Sequence, residues 1–355
     1  MPATSVDTFF ACSLMVLLVL SAMAGASKVL YPQISNSVDE FAYERYMEIS
    51  KHLLLNPGEP ADWGQNSQVV PEKFGLAEAN AEILYALDID KVSRLNDQNR
   101  FSLSYAQMFA SLKISDVSFR IEIEPIFEVS INLTATFHAE NETIYKFEVS
   151  TEKQGAPVEA ELKYYVVAEN HFEGSQAHTS NGVAAFNVTL PENVGGPALL
   201  VVFAKAVYNI RMVSFSVYAF EHSLGEPQPV GTFLRLSPLN HTLEAFFGYQ
   251  EITLTEAYAL TFNYSSTLAK IANGNQSATY SIPCFQDSSP ILLVVTGRNS
   301  TAFFAEWTSY PQVPLQTGVN FDDSTTISNV FAYSYIVTID NALYRCKLWL
   351  GGPRL

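Results

Sequence analysis

The stretch FFACSLMVLLVLSAMAGAS, residues 9–27, contains nineteen consecutive positions without a charge. At 1.5 Å per residue, a helix of this length spans roughly 30 Å, which is the hydrocarbon thickness of a bilayer. Three interpretations are open: a retained membrane anchor, a cleaved signal peptide, and a buried core helix. An A-x-A-like cleavage site is present at residues 22–26, but the first eight residues contain no Lys or Arg. We expect a retained anchor.

A second helical pattern follows the apolar stretch almost directly. Apolar residues recur every three or four positions along residues 31–53, which predicts one buried helix face. The helix is expected to end before Pro57, because proline pushes the preceding residue out of the α conformation. Residues 1–55 are therefore predicted to form a transmembrane helix that continues into an amphipathic stalk.

Three short blocks follow the stalk: NPGEPADWG at 56–64, PEKFGLA at 71–77 and LDIDKVSRL at 87–95. With the hydrophobic helix, they resemble a family of archaeal type IV pilin-like, membrane-anchored surface proteins over about residues 1–100. The resemblance implies a filament subunit whose first helix packs against copies of itself. It also implies that Asp7 is the acidic residue near the mature N-terminus, if processing leaves Ala3 first. The usual Lys or Arg and Gly before a prepilin cleavage site are absent.

The pattern after residue 113 predicts β-structure. Apolar and polar residues alternate along residues 129–137, 145–149, 158–166 and 184–190, as in half-buried strands. The Gly155 and Gly182 turns between these strands resemble those of Ig-like modules in prokaryotic surface proteins. A Pro/Gly break near residues 225–229 suggests a boundary, and a hairpin is expected at Asp340-Asn341.

The predicted fold class is therefore α+β and mostly β, with four segments. They are the transmembrane and stalk helix at 1–55, a helical cap at 56–112, an Ig-like β-sandwich at 113–224 and a second β-sandwich-like domain at 225–355. Within the cap, residues 74–95 are expected to be helical.

The cysteines and the sequons fit an extracytoplasmic body. Cys284 and Cys346 are predicted to form a disulfide, worth about 4 kcal/mol for the loop it closes, and two separate buried thiols are the alternative. Cys12 is interpreted as an apolar membrane residue. Asn-x-Ser/Thr sequons, the predicted glycosylation sites, begin at Asn132, Asn141, Asn187, Asn240, Asn263, Asn275 and Asn299.

The charge of the chain excludes one class of partner, and its motifs indicate no enzyme. The net charge of −16, from 36 acidic and 20 basic residues, argues against nucleic acid, whose phosphates need clustered Lys and Arg. No G-x-S-x-G, H-E-x-x-H, C-x-x-C or Gly-rich phosphate motif occurs. We therefore predict no catalytic residue, no cofactor and no metal site. Weak metal candidates are His171 with Glu173 and His178, Asp88 with Asp90, and Asp322 with Asp323.

These observations predict a non-enzymatic cell-surface structural or adhesive protein. It would be a pilin-like filament subunit, held in the membrane through residues 9–27, with its body extracytoplasmic and with copies of itself as partners. The alternative is a membrane-anchored or secreted binding module, with carbohydrate as one ligand class and the N-terminal segment as signal peptide or anchor. No ligand is identified by the sequence.

Overall fold

The computed structural model describes residues 3–66, 68–99, 101–223, 232–237, 242–247, 252–274, 277–283, 290–299, 302–321 and 327–353. Within the first helix, side chains are described at residues 9–26, at Lys28 and from Glu40 onward. The described residues form three helices: α1 Ala3–Leu55, α2 Ile89–Ser93 and α3 Tyr105–Leu112.

The strands up to residue 220 are β1 Ala86–Leu87, β2 Ser118–Pro125, β3 Glu128–His138, β4 Glu142–Lys153, β5 Ala156–Pro157, β6 Ala160–Glu169, β7 His171–His178, β8 Val183–Pro191, β9 Gly195–Ala206 and β10 Val213–Phe220. Those after residue 220 are β11 Thr232–Ser237, β12 Thr242–Phe247, β13 Ile252–Leu260, β14 Ser265–Thr267, β15 Ala269–Asn273, β16 Ser277–Ser281, β17 Ile291–Asn299, β18 Ala302–Tyr310, β19 Leu315–Gly318, β20 Ile327–Ile339 and β21 Ala342–Pro353. The fold is α+β and mostly β, as predicted.

The two ends of the chain combine into one unit, which we call the base. It contains the C-terminal part of α1, residues 56–125 and residues 311–353, around a five-stranded sheet of order β1-β20-β21-β2-β19. The β20–β21 hairpin turns at Asp340-Asn341, where both residues have positive φ (45° and 65°), as a type I′ turn requires. This confirms the predicted hairpin, but the hairpin packs in the base core and not in a second β domain.

Between β2 and β19, the chain forms two β-sandwiches. The first has sheets β3-β4-β8 and β10-β9-β6-β7, and the second has sheets β11-β12-β16-β15 and β14-β13-β17-β18. In the strand lettering of immunoglobulin domains, the sheets of the first sandwich are A-B-E and G-F-C-C′. Those of the second sandwich are A-B-E-D and C′-C-F-G. Both sandwiches therefore have Ig-like strand order. Because Leu315 lies opposite Ile123, the chain leaves and re-enters the base on neighbouring strands.

The two sandwiches stack face to face. Val167 and Val201 of the first share a buried cluster with Leu260 and Val294 of the second, and Tyr165 donates a hydrogen bond to the Thr261 carbonyl at 3.0 Å. The contact joins the two sheets that contain the C, F and G strands. The result is a four-layer stack in which the β3-β4-β8 sheet is one outermost layer.

Two segments differ from their predictions. Residues 74–95 form turns, β1 and the five-residue α2 instead of one helix, and five of their apolar side chains are buried in the base core, those of Phe74, Leu76, Leu87, Val92 and Leu95. The predicted segments also differ from the structure at two places, since residues 113–125 and 311–353 belong to the base and not to the first and second β domains. Helix α1 ends at Leu55, as predicted. The short helix α3 lies within the segment 56–112 that was predicted to be a helical cap.

Candidate functional site

The N-terminal part of α1 exposes an apolar surface that nothing in the body covers. From Phe9 to Ala26, every side chain except half-buried Ser13 is exposed, and Leu17 exposes 67% of its surface. This apolar segment, Phe9–Ala26, is long and apolar enough to cross a membrane, and an N-terminal signal sequence has the same properties. So large an exposed apolar surface is costly in water, so the segment requires an apolar environment.

The C-terminal part of α1 is fixed to the base. Leu53 and Leu54 are fully buried in the base core. The Arg45 guanidinium donates to both Asp116 carboxylate oxygens, at 2.7 and 2.8 Å, and these bonds lower the pKa of Asp116. The Tyr333 hydroxyl donates to the backbone carbonyl of Tyr43 at 2.7 Å. The helix therefore enters the body as a rigid element.

The FGLA block caps the end of α1. The N–H of Leu76 donates to the carbonyl of Leu53 at 2.8 Å, and that of Ala77 donates to the carbonyl of Asn56 at 3.1 Å. A Cβ at Gly75 would lie 2.2 Å from the Asn56 carbonyl oxygen, so only glycine fits there. These contacts satisfy carbonyl groups that a helix C-terminus otherwise leaves without a partner.

Two buried cations hold the loops around this cap. Lys91 donates to the carbonyls of Pro57 and Ala77, at 3.0 and 2.7 Å, and burial lowers its pKa. Burial also lowers the pKa of Arg94, to about 10. The Arg94 guanidinium donates to the carbonyl oxygens of Trp63, Asn66, Val69 and Phe101. The blocks at residues 56–64, 71–77 and 87–95 thus meet in one polar network. Its two cations, Lys91 and Arg94, were not among the residues predicted from the sequence.

Trp63 lies at the centre of this network. It is fully buried, its indole N–H donates to the Gly75 carbonyl at 3.0 Å, and the Arg94 guanidinium lies 5.4 Å from its ring centroid. The ring also contacts Phe74. It is a packing residue of the base, and its ring is not available as a binding platform.

Asp88 and Asp90, one of the weak metal candidates, form hydrogen bonds within the protein. Asp88 is the N-cap of α2 and accepts hydrogen bonds from the N–H groups of Asp90 and Lys91, both at 3.0 Å. The Asp90 carboxylate accepts a hydrogen bond from Tyr310 at the end of β18. Burial raises the pKa of Tyr310, with a contribution from Asp90. Asp88 therefore caps α2 within the base, and Asp90 joins the base to the second sandwich.

The histidine candidates lie on an edge strand. His171, Glu173 and His178 belong to β7, and His171 Nε2 lies 3.8 Å from a Glu173 carboxylate oxygen. Among the described residues, no group of three or more His, Cys, Asp or Glu side chains is placed to hold a metal ion. Asp322 and Asp323 lie outside the described residues.

The structure describes only some of the predicted cysteines and sequon residues. Cys346 is fully buried in the base, and burial raises the pKa of its thiol to about 12. Cys284 lies outside the described residues, so the predicted disulfide stays a prediction. Asp7 lies within α1, but its side chain is not described. Exposed sequon residues are Asn132, Asn141, Asn187 and Asn263, whereas Asn240 and Asn275 lie outside the described residues and only the backbone of Asn299 is described.

Two concave surfaces occur in the base. One, of about 440 Å³, is acidic and is lined by Glu78, Glu82 and Asp340, together with Asp88 and Asp90. The other, of about 570 Å³, runs beside α1 between Arg45, His52 and Lys113. Ser111 and His52 both line the second surface, but the Ser111 hydroxyl donates to the carbonyls of Pro71 and Gln107, so these residues do not indicate a reaction class.

Comparisons with known proteins assign no family. No family model matches the chain, and no curated protein matches it. Among solved structures, the tandem C2 domains of extended synaptotagmin 2 are similar at 10% identity with a TM-score of 0.13, over 68% of this chain and 92% of that chain. A TM-score this low carries no argument about fold or function.

Proposed function

We propose that this protein is a non-enzymatic cell-surface structural or adhesive protein, anchored through the apolar segment of α1, with its β body outside the cytoplasm. One observation carries the proposal: a single 53-residue helix has an exposed apolar end and a buried end that is part of the base core. At 1.5 Å per residue it is about 80 Å long. A rigid helix of this kind transmits the position of its anchor directly to the body.

The resemblance to pilin-like surface proteins extends the proposal to a filament subunit. In that state, the apolar segments of many copies would pack against one another, and the membrane would hold the unassembled subunits. The net charge of −16 is compatible with an exposed, soluble body and opposes nonspecific aggregation. The alternative is a secreted binding module, for which cleavage at residues 22–26 would remove most of the apolar segment.

The test begins with the intact mass and the N-terminal sequence of the protein recovered from its native cells. We expect a mature chain that retains residues 9–27 and sediments with membranes or with surface filaments. Electron microscopy of the cell surface then distinguishes a filament from single anchored molecules. A mature N-terminus at Gly25 or later would overturn the anchored function and leave the secreted module.

A double substitution, Leu17→Arg with Leu18→Arg, tests the same segment without altering the body. Each arginine at the centre of a membrane helix costs about 2.5 to 3.5 kcal/mol, so most of the protein should leave the membrane fraction. The matched variant, Leu17→Ile with Leu18→Ile, should remain there. Equal membrane fractions for the two variants would contradict the anchor.

A further inference from the structure

The seven sequons are confined to the middle of the chain. All of them begin between Asn132 and Asn299, and none occurs in residues 1–125 or 311–355. Along the sequence this looks like a gap at each end of the chain. In the structure the two gaps are one region, because both ends of the chain form the base. The base therefore contains no sequon.

Two of the sequons lie on one sheet face. Asn132 is on β3 and Asn187 is on β8, on opposite sides of the central strand β4. Asn132 pairs with Glu148 of β4, and Asn187 pairs with Lys146, two positions away. From the spacings of strands and residues, the two Asn Cα atoms are roughly 12 Å apart.

This face points away from the core. Asn132, Glu148, Lys146 and Asn187 are all exposed, whereas the alternating residues, such as Phe147, are buried against the facing sheet. Among the described residues, neither the Asn132 nor the Asn187 amide group has a hydrogen-bond partner, so modification would break no contact. The β3-β4-β8 sheet is an outermost layer of the stack, which leaves space for a large substituent above it.

The hydroxyl residue of each sequon is also accessible. Thr134 and Thr189 follow their asparagines by two positions, and both are exposed. In a strand, residues two positions apart share one face, so an enzyme can reach the amide and the hydroxyl from the same side. In β3 a bulge lies between Leu133 and Ala135, and the Thr134 hydroxyl donates to the Lys146 carbonyl at 2.9 Å.

We propose that Asn132 and Asn187 are N-glycosylated and carry two adjacent glycans on the outer face of the β3-β4-β8 sheet. The inference rests on the proposed extracytoplasmic location of the body. The donor would be an oligosaccharide linked through a phosphate to a polyprenyl lipid. The side-chain amide nitrogen of asparagine forms a bond to the anomeric carbon of the sugar, and the bond from that carbon to the phosphate oxygen breaks. The amide loses one proton, and the lipid phosphate leaves as an anion.

The pair of glycans has a structural consequence. A glycan is bulky and hydrophilic, so the outer face of this sheet cannot pack closely against another copy. The base has no such obstacle. In an assembly, contacts between copies would therefore involve α1 and the base, while the glycan-bearing face would contact solvent.

The test is glycopeptide mass spectrometry of the full chain recovered from its native cells. The tryptic peptides that contain Asn132 and Asn187 should carry mass increments of sugar units. Thr134→Ala should abolish the increment at Asn132 and leave Asn187 modified, and Thr189→Ala should do the opposite. The matched variants Thr134→Ser and Thr189→Ser preserve the sequon and should retain both glycans, which separates loss of the sequon from loss of folding.

Protease treatment of intact cells, in the same samples, separates failure of this inference from failure of the proposed function. If the body is cleaved from outside and both peptides are unmodified, the glycosylation inference is overturned and the location stands. If the body is protected in intact cells and digested only after lysis, the extracytoplasmic location fails together with the inference. Increments that persist in Thr134→Ala and Thr189→Ala would also overturn it, because the modification would then not depend on these sequons.

Discussion

In the first sandwich, strands pair with partners close in the sequence, as Glu142 does with Pro191, whereas in the base Ser118 pairs with Gly351. The sandwich is thus a local structure, and the base forms only when the two ends of the chain meet. Their interiors also differ. Among the described residues, buried Lys and Arg side chains occur in the base and not in the first sandwich, and in the base Lys91 and Arg94 donate to backbone carbonyls. The base can therefore lose stability in ways that the sandwiches cannot.

The largest effect is expected from Arg94→Ala. The substitution removes a donor to four carbonyl groups, of which that of Asn66 also accepts from the Val69 N–H. A buried acceptor left without a partner costs roughly 1 to 3 kcal/mol, so we expect about 5 kcal/mol of destabilisation. Hydrogen exchange of the detergent-solubilised chain should show loss of protection in β2 and β21, with β6 and β9 much less affected.

Phe147→Ala is the matched variant in the first sandwich, where Phe147 is fully buried. The cavity should cost about 3 to 5 kcal/mol, with loss of protection in β6 and β9 and little in β21. Equal loss of protection in all strands for both variants would contradict a division into base and sandwiches, and would indicate one cooperative unit.

A smaller effect is expected where the second sandwich contacts the base. Tyr310→Phe removes the buried hydrogen bond to the Asp90 carboxylate, and a hydrogen bond to a charged group contributes about 2 kcal/mol. Tyr165→Phe, which removes a bond to a neutral carbonyl between the sandwiches, should cost about 1 kcal/mol. Guanidinium denaturation of both variants measures the difference, and a larger cost for Tyr165→Phe would contradict the assignment.

Alkaline pH should lower the stability of the base and of the second sandwich over different pH ranges. Burial raises the pKa of Cys346 in the base and of Tyr280 in the second sandwich, each to about 12. The unfolded chain releases these protons near pH 8.5 and 10. Because the folded pKa values are raised, the contribution of Cys346 is full below about pH 8.5 and that of Tyr280 below about pH 10, and each decreases as the pH rises towards 12. The decrease is about 1.4 kcal/mol per pH unit for each group.

Cys346→Ala should reduce this slope from pH 9 upward, and Tyr280→Phe only from pH 10 upward. The denaturation midpoint measures the first effect, followed by the fluorescence of Trp63 and Trp349 in the base with Trp307 of the second sandwich replaced by Phe. An unchanged slope in Cys346→Ala between pH 9 and pH 10 would show that the thiol does not ionise on unfolding in this range.

Much of the fold could be predicted because it depends on local patterns. The alternation along residues 145–149 identified a strand with one buried face, and Asn341 marked the turn of the last hairpin. The end of α1 followed from Pro57. The prediction of a helix at residues 74–95 was wrong. The helical propensity of this segment is outweighed by its contacts with the end of α1, such as the hydrogen bond from the Leu76 N–H to the Leu53 carbonyl.

The sequence by itself determined that the chain begins with an apolar helix, that an acidic β-rich body follows, and that sequons occur only in the middle of the chain. These properties depend on composition and short-range periodicity. Only the tertiary structure decided that the last hairpin joins the first helix in the base, and that Asn132 and Asn187 share one exposed face. The physical reason is that strand pairing between distant segments depends on their combined buried surface, which neither segment encodes alone.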